Sequence, residues 1–122
     1  MRYKEINILI AEDEFINYLY LEALFENYKF KLIHAKNGNE AIHIAKKNSD
    51  IDLILMDIKM PKLNGLEAIK EIRKSNKNIP IIALTAYTSL VDKQNALNAG
   101  CNDYITKPFY EKTIIEMVKK YT

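Results

Sequence analysis

Apolar residues fall into two alternating patterns along this chain. Short, nearly continuous apolar runs occur at Ile6–Ala11, Lys31–His34, Leu53–Met56, Ile81–Leu84 and Tyr104–Ile105. Runs this short fit a strand buried on both faces, and equally a stretch of buried helix. Their flanks favour strands, because Asp52, Asp57, Pro80 and Thr85 punctuate them. Between the runs the period becomes helical. Phe15 to Asn27 carries apolar residues on more than one face, with Leu21, Leu24 and Phe25 at helical spacing. Glu40 to Asn48 sets Ala41, Ile44 and Ala45 on one side. Leu66, Ile69 and Ile72 share a stripe while Lys70, Glu71, Arg73 and Lys74 face out. Ser89 with Asp92 three residues later reads as a helix start, and Gly100 suits a left-handed cap at its end. Ile114, Met117, Val118 and Tyr121 follow the i, i+3, i+4, i+7 template of a last helix.

Five strands alternating with five helices predict a parallel sheet covered on both faces. Right-handed crossovers bring all the strand C-terminal ends to one edge, where the functional groups of such folds sit. The residues at those ends are Glu12, Asp13 and Glu14 after the first strand and Asp57 after the third. Thr85 and Ala86 follow the fourth, and Lys107 and Pro108 the fifth.

Composition narrows the classes. A length of 122 residues fits one domain spanning 1–122, and 48% hydrophobic residues suffice for a core. A net charge of +2, with Lys and Arg dispersed, argues against direct nucleic-acid binding. No apolar run approaches a membrane span, so no membrane insertion is expected. The N-terminus shows no signal-peptide pattern. The single cysteine, Cys101, has no internal disulfide partner, which suits a reducing cytoplasm and a small packed side chain. His34 and His43 lack metal-ligand company and read as plain surface or strand residues.

The cluster of acids carries the chemistry. Crowded carboxylates raise one another's pKa values, and a cation resolves the conflict. Hard oxygen ligands suit Mg²⁺, with Asp13 and Asp57 as direct ligands and the longer Glu12 acting through water. Lys107 could neutralise a second anion and Thr85 could donate to it. A metal, an ammonium and a hydroxyl around one Asp describe phosphoryl transfer to a carboxylate. Taken singly, each group has an ordinary reading: Asp57 a turn cap, Glu12 to Glu14 first-turn helix acids, Thr85 a β-branched strand residue, Lys107 a solvated lysine. Their convergence on one edge is what gives them a joint role.

The stretch Ile8-Leu9-Ile10-Ala11-Glu12-Asp13-Glu14 resembles the acidic opening of response-regulator receiver domains. Leu53-Ile54-Leu55-Met56-Asp57-Ile58-Lys59-Met60-Pro61-Lys62-Leu63-Asn64-Gly65 resembles their phosphoacceptor segment. Leu84-Thr85-Ala86 is similar to their switch-hydroxyl segment, and Asp103-Tyr104-Ile105-Thr106-Lys107-Pro108-Phe109 to their aromatic and Lys-Pro segment. The resemblance runs in order over essentially the whole chain. Asn17, one turn into the first helix, resembles the receivers attached to hybrid histidine kinases.

The resemblance implies a flavodoxin-like doubly wound (βα)5 fold of strand order 2-1-3-4-5. It implies that Asp57 accepts a phosphoryl group from a histidine kinase or a histidine phosphotransfer protein. Mg²⁺, or Mn²⁺ in its place, would be held by Asp13, Asp57 and the backbone carbonyl of Lys59, with Glu12 acting mostly through water. Lys107 would pair with phosphoryl oxygens, and its bond to Pro108 would be cis. Thr85 would swing toward the phosphoryl group and Tyr104 would turn inward behind it. The face made by the fourth helix, fifth strand and fifth helix would then change shape and bind a partner or a second copy. Lys59 and Tyr87 would flank the phosphoryl group and tune its loss, so the chain would catalyse its own phosphorylation and slow autodephosphorylation.

Three rivals leave different marks. An aspartyl-phosphate hydrolase of the haloacid-dehalogenase type resembles Asp-x-Asp at the nucleophile, and here Lys59 stands at the second position. A phosphorylation-independent interaction module of receiver fold would lose an acid, the hydroxyl or the lysine, and this chain keeps them all. A flavodoxin-like cofactor binder would want a phosphate-cradling loop where Glu12-Asp13-Glu14 stands. No output domain follows the fifth helix in this sequence.

Overall fold

A computed structural model of the chain describes residues 5–59, 64–86 and 90–122. Ten elements alternate without interruption. They are β1 (Ile6–Ala11), α1 (Phe15–Leu24), β2 (Phe30–Ala35), α2 (Gly38–Lys47) and β3 (Leu53–Asp57). They continue with α3 (Gly65–Ser75), β4 (Ile81–Thr85), α4 (Leu90–Ala99), β5 (Asp103–Thr106) and α5 (Glu111–Tyr121). All strand pairs are parallel and the sheet order is β2-β1-β3-β4-β5. This is the flavodoxin-like doubly wound topology expected from the sequence.

The strand composition follows from the two covered faces. Every residue of β3 and β4 is buried, whereas the edge strands β2 and β5 are mostly half-buried. Successive side chains take opposite faces. Leu9, Ile54, Met56 and Ile81 therefore pack with Ala41 of α2, Ile69 and Ile72 of α3 and Ala96 of α4. Ile8, Ile10, Leu55 and Ile82 pack with Leu21 of α1 and Ile114 and Val118 of α5 on the other face. The alternation of strand and helix thus yields two apolar layers divided by the sheet.

Local chemistry sets several helix ends. Asn37 caps α2 by accepting from the Glu40 N–H, and the Glu40 carboxylate returns to the Lys36 N–H. Asn64 caps α3 by accepting from the Glu67 N–H. Gly100 closes α4 at φ 120°, with its carbonyl accepting from Arg73 Nε at 2.8 Å.

Some boundaries differ from the periodicity. The apolar pattern extended the first helix to Asn27, but α1 stops at Leu24. Phe25 keeps the apolar rhythm for a different reason: it is buried as the helix unwinds and meets Phe30 edge-on at 5.4 Å. The acids after β1 are not first-turn helix acids either. Glu14 is the residue before α1, and the first turn contains none, so Glu12 and Asp13 lie in the connection itself. The expected start of the fourth helix at Ser89 lies outside the described residues.

Candidate functional site

Parallel pairing fixes which side chains meet. Asp57 pairs with Leu84 across β3 and β4, and Thr85 pairs with Thr106 across β4 and β5. Ala11 pairs with Met56, so Glu12 emerges beside Asp57. Carboxylate oxygens of Glu12, Asp13 and Asp57 all lie within 4.8 Å of one another. Glu12 is 0% exposed and Asp57 3%, while Asp13 is open to solvent on one side. Two buried acids therefore share a small volume, and a third stands at its mouth.

Lys107 supplies the positive charge. Its Nζ lies 3.4 Å from Asp57 Oδ2 and 3.8 Å from Glu12 Oε1. The first distance is a long hydrogen bond and the second only a Coulombic approach. The Lys107 peptide is anchored by its N–H to the Thr85 carbonyl at 2.8 Å, and the Lys107–Pro108 bond is cis. Asp57 Oδ1 accepts from the Lys59 N–H at 3.1 Å. The chain beyond it closes tightly, because the Gly65 N–H donates to the Ile58 carbonyl at 2.8 Å. A Cβ on Gly65 would collide with the Asp57 carbonyl oxygen, so only glycine allows this closure.

One ammonium does not balance the site. Glu12 Oε2 accepts from the Glu14 N–H at 3.3 Å, but Glu12 Oε1 is buried without a hydrogen-bond partner. Burial, followed by the neighbouring Asp57 carboxylate, pushes the Glu12 carboxyl up to about 8, with Lys107 offsetting part of this. A buried, unpaired carboxylate oxygen facing two more carboxylates fits a hard divalent cation.

Thr85, 7% exposed, ends β4 beside this cluster. Thr85 and Tyr104 line one cavity of about 150 Å³, together with Ile58, Leu66, Asp92 and Ala96. Tyr104 is half-buried, and Lys93 Nζ of α4 stands 5.0 Å from its ring centre. On the opposite side, Asn17, Tyr20, Lys107, Pro108 and Phe109 line an open hollow of about 410 Å³. The Tyr20 hydroxyl donates to the Phe109 carbonyl at 2.6 Å and ties α1 to the Lys-Pro turn. Tyr87 lies outside the described residues.

One neighbour escaped the sequence reading. His34 was a plain strand residue by composition, but its Nε2 lies 2.7 Å from the Glu12 carbonyl oxygen. Only the β1–β2 register, which sets His34 beside Ile10, brings it there. His43 is exposed on α2, as its lack of company implied.

A doubly wound parallel sheet with acids, a threonine and a lysine at its carboxyl edge defines an aspartate-centred, cation-binding class of α/β domain. The comparisons with known proteins say which member of that class this is. The family model for the response regulator receiver domain matches residues 8–119, and the chain belongs to that family. It is 38% identical over 119 residues to the uncharacterized transcriptional regulatory protein YrkP of Bacillus subtilis, covering 94% of this chain and 50% of YrkP. The chain thus spans about half the length of that relative. The receiver domain of the sensor histidine kinase PA1611 of Pseudomonas aeruginosa superposes with a TM-score of 0.89 at 33% identity, covering 97% and 98% of the two chains. That receiver holds a magnesium ion in its active-site cleft. The receiver domain of Ssk1 of Saccharomyces cerevisiae superposes at 0.90 with 37% identity, covering 99% and 91%. It was crystallised with the histidine phosphotransfer protein Ypd1. Among the described residues, no helix is long and apolar enough to cross a membrane.

Proposed function

We propose that Asp57 is the phosphoacceptor of this receiver domain and that residues 1–122 act as one receiver unit. An Asp57 oxygen attacks the phosphorus of a phosphohistidine, an O–P bond forms, and the P–N bond breaks. The imidazole leaves with the proton it needs to become neutral, and the product is an acyl phosphate. The observation that carries this reading is the orphaned Glu12 Oε1 beside buried Asp57, with Lys107 Nζ 3.4 Å from the acceptor carboxylate.

Asp13 and Asp57 would hold Mg²⁺ or Mn²⁺ directly with the Lys59 carbonyl, and Glu12 would act mostly through water. When bound, the cation neutralises the acids and the charge that develops on the transferred group. The chain's own groups do the rest. Lys107 pairs with a phosphoryl oxygen, and the Lys59 N–H keeps Asp57 oriented. Tyr87 and Lys59 tune hydrolysis of the acyl phosphate.

The donor is a histidine kinase or histidine phosphotransfer protein. The hollow beside Lys107 continues onto exposed apolar residues of α1, Phe15 and Ile16, at 63% and 78% exposure. Such a surface next to the acceptor suits a docked donor more than water. A cytoplasmic location accords with such a donor and with the buried free thiol of Cys101.

Output follows from the cavity between Thr85 and Tyr104. Thr85 moves toward the new phosphoryl oxygens and Tyr104 turns into the space behind it. The α4-β5-α5 face, with exposed Leu90, Val91 and Tyr110, then binds its target or a second copy.

The test is intact-mass measurement after incubation with Mg²⁺ and a small phosphodonor. The expected result is one labile phosphoryl group, absent in Asp57→Asn. No gain with any donor would sink the proposal and favour a phosphorylation-independent interaction module.

A further inference from the structure

Both main-chain groups of Glu12 are held by adjacent residues of β2. Its N–H donates to the Ala35 carbonyl at 3.0 Å. Its carbonyl lies 2.7 Å from His34 Nε2, from a residue 22 positions away. The carbonyl can only accept, so Nε2 carries the proton, in the neutral and in the charged imidazole alike. The His34 ring is itself fixed. It stacks on Tyr18 with ring centres 3.9 Å apart and planes 11° from parallel. Tyr18 is buried in the α1 layer, so the ring is clamped between helix and strand end.

The clamped carbonyl belongs to the peptide joining Glu12 to Asp13. Rotating that peptide turns the Asp13 Cα and moves its carboxylate relative to Asp57. Both acids belong to the cluster whose oxygens converge within 4.8 Å. We propose that His34, braced by Tyr18, is a positioning residue that pre-orients the Glu12–Asp13 peptide for the divalent cation. This rests on the metal-site reading given above. The ordering is complete before the cation arrives, so less freedom is lost on binding. Hydrogen-bond partners standing behind metal ligands commonly change affinity by about 10- to 100-fold. His34 acts on the peptide rather than on a carboxylate, which places its effect at the low end.

The experiment is Mg²⁺ titration calorimetry on the full chain, comparing wild type, His34→Met, His34→Gln and Tyr18→Leu. Thermal unfolding of each checks the fold. Gln places a donor near the position of Nε2, whereas Met fills similar space without one. His34→Met should weaken Mg²⁺ binding about tenfold. Gln should restore most of that, and Tyr18→Leu should fall between. The Mg²⁺ concentration for half-maximal phosphorylation should rise in His34→Met, with the rate at saturating Mg²⁺ nearly unchanged. A folded His34→Met with wild-type affinity overturns the proposal, and so does a Gln variant as weak as Met. If His34→Met does not fold, imidazole ¹⁵N spectra of the wild type decide. A proton on Nε2 and a response of its signal to Mg²⁺ support the clamp, and a proton on Nδ1 or no response overturns it. Wild-type protein that takes up no Mg²⁺ overturns the metal-site reading itself, an outcome seen before any variant is compared.

Discussion

Replacing Glu12 by Gln should make the metal-free protein more stable at alkaline pH. Glu12 is buried, and its carboxyl, at 4.5 ordinarily, is pushed up to about 8 first by burial and then by Asp57. Between those values the native chain keeps a proton that the unfolded chain releases. Native protein then binds more protons than unfolded, so stability falls as pH rises through about 4.5 to 8 and is lowest above it. At about 1.4 kcal/mol per tenfold, the ceiling on this loss is about 5 kcal/mol. Water entry and local relaxation reduce it to about half. Gln has the shape of Glu, accepts the same Glu14 N–H and does not ionise. Urea unfolding in chelator should find the two proteins equal near pH 4.5 and the variant ahead by about 2–3 kcal/mol near pH 8.5. Excess Mg²⁺ should narrow the gap by stabilising wild type through binding. Equal pH slopes for the two proteins in chelator would refute the claim that a buried, uncompensated carboxylate sits here.

Gly65→Ala should destabilise the chain by about 1–3 kcal/mol and weaken Mg²⁺ binding, because its Cβ meets backbone that cannot rotate away, with Ile58 Cα at 2.7 Å. Urea unfolding and metal titration read both, and a neutral result refutes the tight closure. A Phe15→Ser, Ile16→Ser double variant should slow transfer from a phosphohistidine protein while leaving labelling by a small phosphodonor unchanged; equal loss with both donors refutes the docking role of α1. Lys93→Ala removes the ammonium 5.0 Å from the Tyr104 ring, a contact of about 0.5–1 kcal/mol. The ring's outward population should fall about two- to fivefold, and unshifted Tyr104 ring signals would show that Lys93 does not hold it.

The strands and helices were legible because both their periods and their punctuation are local. Leu53–Met56 could be read as a buried strand from its apolar run and flanking Asp52 and Asp57 alone. The edge convergence of Glu12, Asp57, Thr85 and Lys107 was also legible, because parallel topology forces strand ends together. Where periodicity misled, a residue kept an apolar identity for a tertiary reason, as Phe25 does against Phe30.

The sequence by itself determined the alternating architecture and which side chains stand at the carboxyl edge, since both follow from local patterning and the handedness of the chain. Only the tertiary structure decided how those groups are poised. That Glu12 Oε1 is buried and unpaired depends on how far β1, β3 and β5 extend relative to one another. That His34 holds the Glu12 carbonyl depends on the pairing of β1 with β2 and on Tyr18 arriving from α1. Distances of a few ångströms between residues distant in sequence are set by packing the whole core, and no local pattern encodes them.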